Sequence, residues 1–162
     1  MRRGEADRAR RPKARGFTFV ALLAAVAVIT LGLSVTAPTW ADKARRERER
    51  ELMRIGELYA HALADYREGS PGGLKTWPRS LDELALDKRF FGVRRHLRRL
   101  YPDPLDPARP WGLVRDLDGG IVGVYSQSTD RPAADGPVVL GDLVLAPARR
   151  YCDWKFSPKD PT

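Results

Sequence analysis

Few residues in this chain are of a type and spacing that would support catalysis or metal binding. The only histidines are His61 and His96, and neither belongs to a metal-ligand motif. Cys152 is the only cysteine, has no histidine near it in sequence, and is predicted to be a buried or unreactive thiol. The chain also lacks a phosphate-binding loop, a dinucleotide fingerprint and a nucleophile elbow. We therefore predict a protein that is not an enzyme.

The positive charge of the chain is concentrated at its N-terminus. The formal net charge is +8 over 162 residues, and residues 1–16 hold seven basic and two acidic side chains. This short, polar leader therefore accounts for most of the excess, and the high isoelectric point is no argument for nucleic-acid binding. A single cysteine excludes an internal disulfide.

A long uncharged stretch follows the leader. No residue from Phe17 to Ala41 is charged. At ~1.5 Å per residue this stretch makes a helix of roughly 37 Å, enough to cross a hydrocarbon core of ~30 Å. Positive charge before an apolar segment keeps that end in the cytoplasm. The sequence predicts a transmembrane helix over residues 17–41, with a cytoplasmic N-terminus and the remainder outside.

The helix is predicted to continue over residues 42–68, first as a charged segment and then as an amphipathic one. Arg45 and Glu49, and Glu47 and Arg50, have the spacing of ion pairs on a solvated helix face. Further on, apolar residues recur every three or four positions, which is typical of a helix with one buried face. This apolar stripe consists of Leu52, Ile55, Tyr59, Ala62, Leu63 and Tyr66. His61 lies off the stripe and is predicted to be exposed.

Residues 69–162 are predicted to form a globular head with an antiparallel sheet, which makes the fold class α+β. Ser80 and Glu83 have the spacing of a capping box, so a short helix is expected from about Leu81. Proline excludes regular structure from Tyr101–Pro107, and a loop is expected over Asp130–Gly141. Strands are expected at Trp111–Asp116 and Ile121–Gln127, joined by a turn at Leu117–Gly120, with weaker candidates at Leu143–Leu145 and Tyr151–Phe156.

A basic segment, Lys88–Leu100, precedes the predicted sheet. Apolar residues between its cations are expected to anchor it: Phe90, Phe91, Val93, Leu97 and Leu100. Solvation or docking of an acidic partner is favoured here over nucleic-acid binding.

Several of these features together resemble the type IV pilins and type II secretion pseudopilins. The residues that carry the resemblance are the Gly16-Phe17-Thr18 border, the Leu/Val/Ala-rich span with Pro38, the Trp77-Pro78 and Ser80-Leu-Asp-Glu83 segments, and the run Tyr101–Gln127. The resemblance implies the pilin fold, a long N-terminal helix packed on a small antiparallel sheet, with a head of the major-pseudopilin type.

The resemblance also implies a processing route, a location and partners. Prepilin peptidase would cut between Gly16 and Phe17, and Phe17 would be N-methylated. The protein would lie in the bacterial inner membrane as a single-pass subunit with a periplasmic head. Its partners would be other pilin or pseudopilin subunits, the inner-membrane assembly platform and membrane lipid, with no nucleic acid.

Two further expectations come from the family pattern. Most pilins carry a glutamate where this chain has Ala21, so inefficient self-polymerisation and a minor-subunit role are expected. Major pseudopilins bind calcium late in the head, and the resemblance makes Ser128, Asp130, Asp135 and Asp142 the calcium candidates of this chain. Their spacing is not diagnostic, and aspartates in such loops usually form turns, so no cofactor is expected.

A different processing route stays open. Thr39-Trp40-Ala41 offers a small-residue site for signal peptidase. Cleavage after Ala41 would release a soluble binding protein that begins near Asp42.

Overall fold

A computed structural model describes residues 17–158, with side chains described there except at residues 17–18 and 30–39. The leader, including Gly16, and residues 159–162 lie outside the described residues. The fold class is α+β, as predicted, with helices and two small antiparallel sheets. The chain divides into two compact units, and the boundary lies between Asp42 and Lys43.

The longest element is helix α1, Phe17–Glu68. Its bounds confirm the prediction of one continuous helix over residues 17–68. Within residues 17–158, no helix combines the length and the mean hydropathy of a membrane span. The membrane-spanning segment over residues 17–41 stays a prediction.

The core of the second unit forms around the apolar stripe of α1. All six stripe residues are buried, which confirms the helical spacing argument. They pack with buried residues from the head, among them Trp111, Val124, Tyr151, Trp154 and Phe156. At Gly56 the ring of Phe156 lies so close that an added Cβ would sit 2.3 Å from it. The helix therefore needs glycine there to approach the C-terminal segment.

Two hairpins form the sheets. Strand β1, Gly112–Arg115, pairs with β2, Ile121–Tyr125, and β3, Val138–Leu140, pairs with β4, Leu143–Leu145; both pairs are antiparallel. The first hairpin opposes Gly112 to Tyr125 and shifts register between Val114 and Arg115. Gly119 takes a φ of 81° in its turn, a left-handed conformation that favours glycine. The predicted strands at 111–116 and 121–127 are confirmed with narrower bounds, and the predicted strand at 143–145 is confirmed with the same bounds.

Two predictions in the C-terminal part were wrong. The expected strand Tyr151–Phe156 is instead a 3₁₀ turn, Tyr151–Asp153, followed by an isolated bridge between Phe156 and Val124. The prediction was based on apolar residues in this segment, such as Tyr151 and Trp154, which are buried. A short apolar run of this kind fits a strand and a turn equally well. The loop expected over Asp130–Gly141 ends early, because Val138–Leu140 forms β3.

The short helix after Trp77 is present as α2, Asp82–Ala85, but its capping box is not. The Ser80 hydroxyl accepts from the Asp82 amide at 3.2 Å, and the Glu83 carboxylate accepts from the Arg79 amide at 3.2 Å. A capping box would require reciprocal bonds between Ser80 and Glu83. A second short helical turn, Pro71–Gly73, follows the end of α1.

Candidate functional site

The residues that the sequence nominated for processing and for calcium binding lie in different parts of the chain. Phe17 is the first residue of α1, and its cleavage partner Gly16 lies outside the described residues. Asp135 pairs with Arg131 at 3.1 Å, whereas Asp142 lies in the turn between β3 and β4. In the described part of the chain, no three His, Cys, Asp or Glu side chains could hold a metal ion. The three aspartates Asp130, Asp135 and Asp142 thus do not form such a group, and calcium binding by them and Ser128 stays a prediction.

The histidines and the cysteine have different environments. His61 is exposed, as predicted, with its Nε2 3.8 Å from the Glu57 carboxylate. The His96 ring is buried and lies 3.1 Å from Asp87. Cys152 is half-buried, so the buried environment predicted for its thiol is only partly present.

Asp87 is the centre of the first polar cluster. Its side chain is 1% exposed and accepts bonds from Arg89 Nη2 at 2.8 Å, from Arg89 Nε at 3.0 Å and from His96 Nε2 at 3.1 Å. The Arg89 amide donates a further bond at 3.0 Å. Burial raises the pKa of Asp87, but the bonds from Arg89 and His96 outweigh it and hold this pKa well below its usual range.

Arg89 extends this cluster to the C-terminal end of α1. Its guanidinium lies 3.5 Å from the centre of the Tyr66 ring, and its Nη2 donates to the Tyr66 carbonyl at 2.8 Å. Its Nη1 donates to the Ser70 hydroxyl at 2.9 Å. An arginine that binds a carbonyl in the last turn of a helix satisfies an acceptor left without an intrahelical partner. Asp87 therefore fastens its loop to α1 through Arg89.

The same cluster forms the base of a loop whose tip we define as residues 88–93. An antiparallel bridge joins Asp87 to Arg94, and the amides of His96 and Leu97 both donate to the Leu84 carbonyl. Leu97 is buried and anchors the segment, as expected. The tip departs from the prediction, because its apolar side chains do not pack on the core.

Phe91 and Val93 are exposed at 115% and 73%, and Leu100 at 38%, so their predicted anchoring role was wrong. Phe90 is half-buried and lies under the Arg94 guanidinium, 4.6 Å from it. The alternation of apolar and basic residues contained no signal to separate anchoring residues from exposed ones.

Glu49 is the centre of the second polar cluster. Its side chain is buried and accepts bonds from the Ala133 amide at 2.6 Å, the Ala134 amide at 3.2 Å and the Tyr151 hydroxyl at 2.6 Å. The predicted exposed pair of Glu49 with Arg45 is therefore wrong; Arg45 donates to the Arg131 carbonyl instead. The other predicted pair, Glu47 with Arg50, is present at 3.2 Å.

Tyr151 shows the electrostatic effect of this second cluster. Burial first, and the hydrogen bond to Glu49 second, raise the pKa of Tyr151 to about 12. The position of Glu49 could have been predicted, since it precedes Leu52 by three residues and so extends the apolar stripe. A charged residue in line with such a stripe indicates a buried polar contact.

Both polar clusters hold a loop in place on helix α1. Each carboxylate is buried and accepts at least three hydrogen bonds from its own chain. The chain matches no protein-family model, no curated protein and no solved structure.

Proposed function

We propose that this protein is a pilin-like structural subunit of a type II secretion pseudopilus or type IV pilus. The observation that supports this most is helix α1, Phe17–Glu68. It joins the uncharged stretch of the sequence to an apolar stripe that is buried in the head. In the proposed arrangement residues 17–41 anchor the chain in the inner membrane, with the N-terminus cytoplasmic and the head periplasmic.

The proposed mechanism is assembly without catalysis. Prepilin peptidase removes residues 1–16, and Phe17 is then N-methylated. The assembly platform extracts the subunit from the membrane, the N-terminal helices pack together in the filament, and the heads form its surface. The predicted partners are thus other subunits, the peptidase, the platform and lipid.

A second candidate is a secreted soluble binding protein. One observation favours it: the boundary between the two compact units, at Asp42 and Lys43, lies beside the signal peptidase site that ends at Ala41. A head released there would retain the whole buried stripe, which begins at Leu52.

Mass measurement of the mature N-terminus separates the two candidates. We expect a chain that begins with methylated Phe17, and we expect Gly16→Arg to accumulate as an uncleaved precursor. Ala41→Arg is the matched control, since it blocks signal peptidase and leaves prepilin cleavage unchanged. A mature chain that starts at Asp42 and disappears in Ala41→Arg would overturn the pilin proposal.

Ala21 predicts how readily the protein forms filaments by itself. In a filament of this chain alone, the amino group of Phe17 would find no carboxylate at residue 21 of its neighbour. Leaving such a charge unpaired in a low-dielectric core costs several kcal/mol. We expect few filaments by electron microscopy when the protein is overexpressed alone, and more with Ala21→Glu. Abundant filaments from the unaltered chain would contradict the minor-subunit proposal.

A further inference from the structure

A groove lies between α1 and the hairpin of β3 and β4. Its apolar walls are Ala60 and Ala64 of the helix and Leu140 and Leu143 of the hairpin. Its volume is about 140 Å³, and an apolar cavity of about 150 Å³ can hold a benzene ring. The groove opens to solvent and is therefore large enough for one aromatic side chain from another molecule.

Acidic side chains surround this groove. Glu57 and Asp142 line it, and Asp65 and Glu68 are exposed further along α1. In the residues that the structure describes, Asp65, Glu68 and Asp142 form no ion pair, and Glu57 has only His61, at 3.8 Å. An apolar groove with an acidic rim fits an apolar side chain that is flanked by cations.

The basic segment, Lys88–Leu100, has the complementary composition. It contains no acidic residue, and Phe91 and Val93 at its tip are exposed at 115% and 73%. Within the described residues, five of its cations are exposed and form no ion pair: Lys88, Arg94, Arg95, Arg98 and Arg99. An exposed aromatic ring beside unpaired cations is a suitable anchor for an apolar groove with an acidic rim.

The groove and the loop lie on different sides of α1. The Arg89 guanidinium of the loop lies 3.5 Å from the centre of the Tyr66 ring. Ala64, which lines the groove, precedes Tyr66 by two residues, so the two side chains are about 200° apart around the helix. A contact between the tip of one head and the groove of another therefore leaves one tip and one groove free, and further copies can repeat it.

We propose that the groove of one copy of this chain binds the loop tip of a second copy, with Phe91 in the groove and the neighbouring arginines on Glu57 and Asp142. The aromatic ring contributes burial of apolar surface. The charges at the rim fix the orientation of the two heads and disfavour the reverse contact, in which like charges would meet.

The inference rests on the proposed function for the parallel orientation of the copies. The loop is fastened at Tyr66 and the groove is centred near His61, so the two differ by about 8 Å along α1. Successive subunits of a helical filament are displaced along its axis, and parallel copies can therefore form this contact. The contact leaves the cost of the unpaired Phe17 amino group unchanged, so few filaments are still expected from the unaltered chain.

The test cross-links two differently tagged full-length copies with a short bismaleimide. Both copies carry Cys152→Ser, and both carry Ala21→Glu, which is expected to increase the number of filaments. One copy has Gly92→Cys at the tip, because a Cβ at Gly92 meets nothing within 4 Å and Phe91 is retained. The other copy has Ala64→Cys in the groove.

In the matched control, Leu117→Cys replaces Ala64→Cys. Leu117 is exposed at 105% between Asp116 and Asp118, so it offers the basic tip an acidic surface without the groove. In isolated filaments we expect the product between residues 92 and 64 to exceed the product between residues 92 and 117 severalfold. Equal yields would overturn the proposal, because they would indicate only a general attraction between opposite charges.

Substitutions on both surfaces test the contact itself. Phe91→Ser should lower the docked fraction by at least about tenfold, through the loss of aromatic burial. Arg95→Glu/Arg98→Glu on the tip copy should lower it, and so should Glu57→Lys/Asp142→Lys on the groove copy. Combining the two reversals should restore cross-linking, since opposite charges then meet again. Yields that none of these substitutions changes would overturn the proposal.

Failure of the docking contact is distinguishable from failure of the proposed function. Filaments of chains that begin with methylated Phe17 but give no product between residues 92 and 64 would overturn docking and leave the filament proposal intact. If no filament forms, the same cross-link is measured in the detergent-solubilised full chain, where copies can shift along one another. A product there that is lost in Phe91→Ser supports docking without the filament, and its absence overturns docking.

Discussion

Glu49 and Asp87 are both buried carboxylates, and each fastens a distant loop to α1, but their donors differ. Glu49 receives two backbone amides and a phenol, all neutral. Asp87 receives the guanidinium of Arg89 and the ring of His96. In this fold, a buried carboxylate can thus be stabilised either by several neutral hydrogen-bond donors or by an ion pair with a nearby arginine. Substitution of the two carboxylates should therefore lower the free energy of unfolding by different amounts.

The difference lies in what remains after a substitution. When Asp87 is neutralised, the Arg89 cation stays in a largely buried site without its partner. When Glu49 is neutralised, the three donors that bound it are all neutral, and Arg45 lies beside the Tyr151 hydroxyl rather than on the carboxylate itself. Breaking a buried charge pair is more destabilising than losing neutral hydrogen bonds, because an uncompensated charge is left behind.

The largest effect is expected for Asp87→Asn. We expect the free energy of unfolding to fall by about 3 kcal/mol, the lower end of the range for breaking a buried pair. Denaturant unfolding measures this change. The control is Asp106→Asn, which removes an exposed pair with Arg109 and should change stability by less than about 1 kcal/mol. Equal losses in the two variants would show that the buried position of Asp87 is unimportant.

The pH dependence of the same variant sharpens the comparison. The pKa of Asp87 is depressed in the folded state, so its contribution is complete above its unfolded pKa of about 4. That contribution is lost as pH falls below this value, towards the folded pKa. The stability difference between wild type and Asp87→Asn should therefore shrink on acidification, and a constant difference down to the acid transition would contradict the assignment.

A smaller effect is expected for Glu49→Gln. Glutamine offers one acceptor oxygen and presents an amide donor to the amides of Ala133 and Ala134. We expect a loss of about 2 kcal/mol, typical of hydrogen bonds to a charged group. Glu47→Gln is the control, because Glu47 is exposed on the same helix and should change stability by less than about 0.5 kcal/mol. A loss at Glu49 that exceeds the loss at Asp87 would reverse the comparison.

The smallest effect is expected for Tyr151→Phe, with a loss of about 1 kcal/mol at neutral pH from one hydrogen bond. The pKa of Tyr151 is raised to about 12, so its contribution is complete below the unfolded pKa of about 10 and is lost as pH rises from 10 to 12. Since the pKa values of Tyr59 and Tyr66 are also raised, the difference between wild type and variant is the quantity to follow. A difference that stays constant across this window would contradict the Tyr151–Glu49 bond.

The secondary-structure elements that depend on residues close in sequence were predictable from the sequence. The three- and four-residue spacing from Leu52 to Tyr66 predicted both the helix and its buried face, since helical periodicity places these residues on one side. Turn residues predicted the hairpin of β1 and β2. The apolar pattern at Tyr151–Phe156 misled, because buried aromatic residues occur in 3₁₀ turns as well as in strands.

What the sequence determined by itself was the continuous helix, the position of its apolar stripe and the concentration of charge before Phe17, because each depends on neighbours within a few residues. Only the tertiary structure determined which individual charged and apolar side chains are buried and which are exposed. Glu49 is buried because it accepts hydrogen bonds from the amides of Ala133 and Ala134, which are 84 and 85 residues away in sequence. Phe91 is exposed, whereas Leu97, six residues further on in the same basic segment, is buried. Burial depends on partners that are remote in sequence, and no local pattern specifies them.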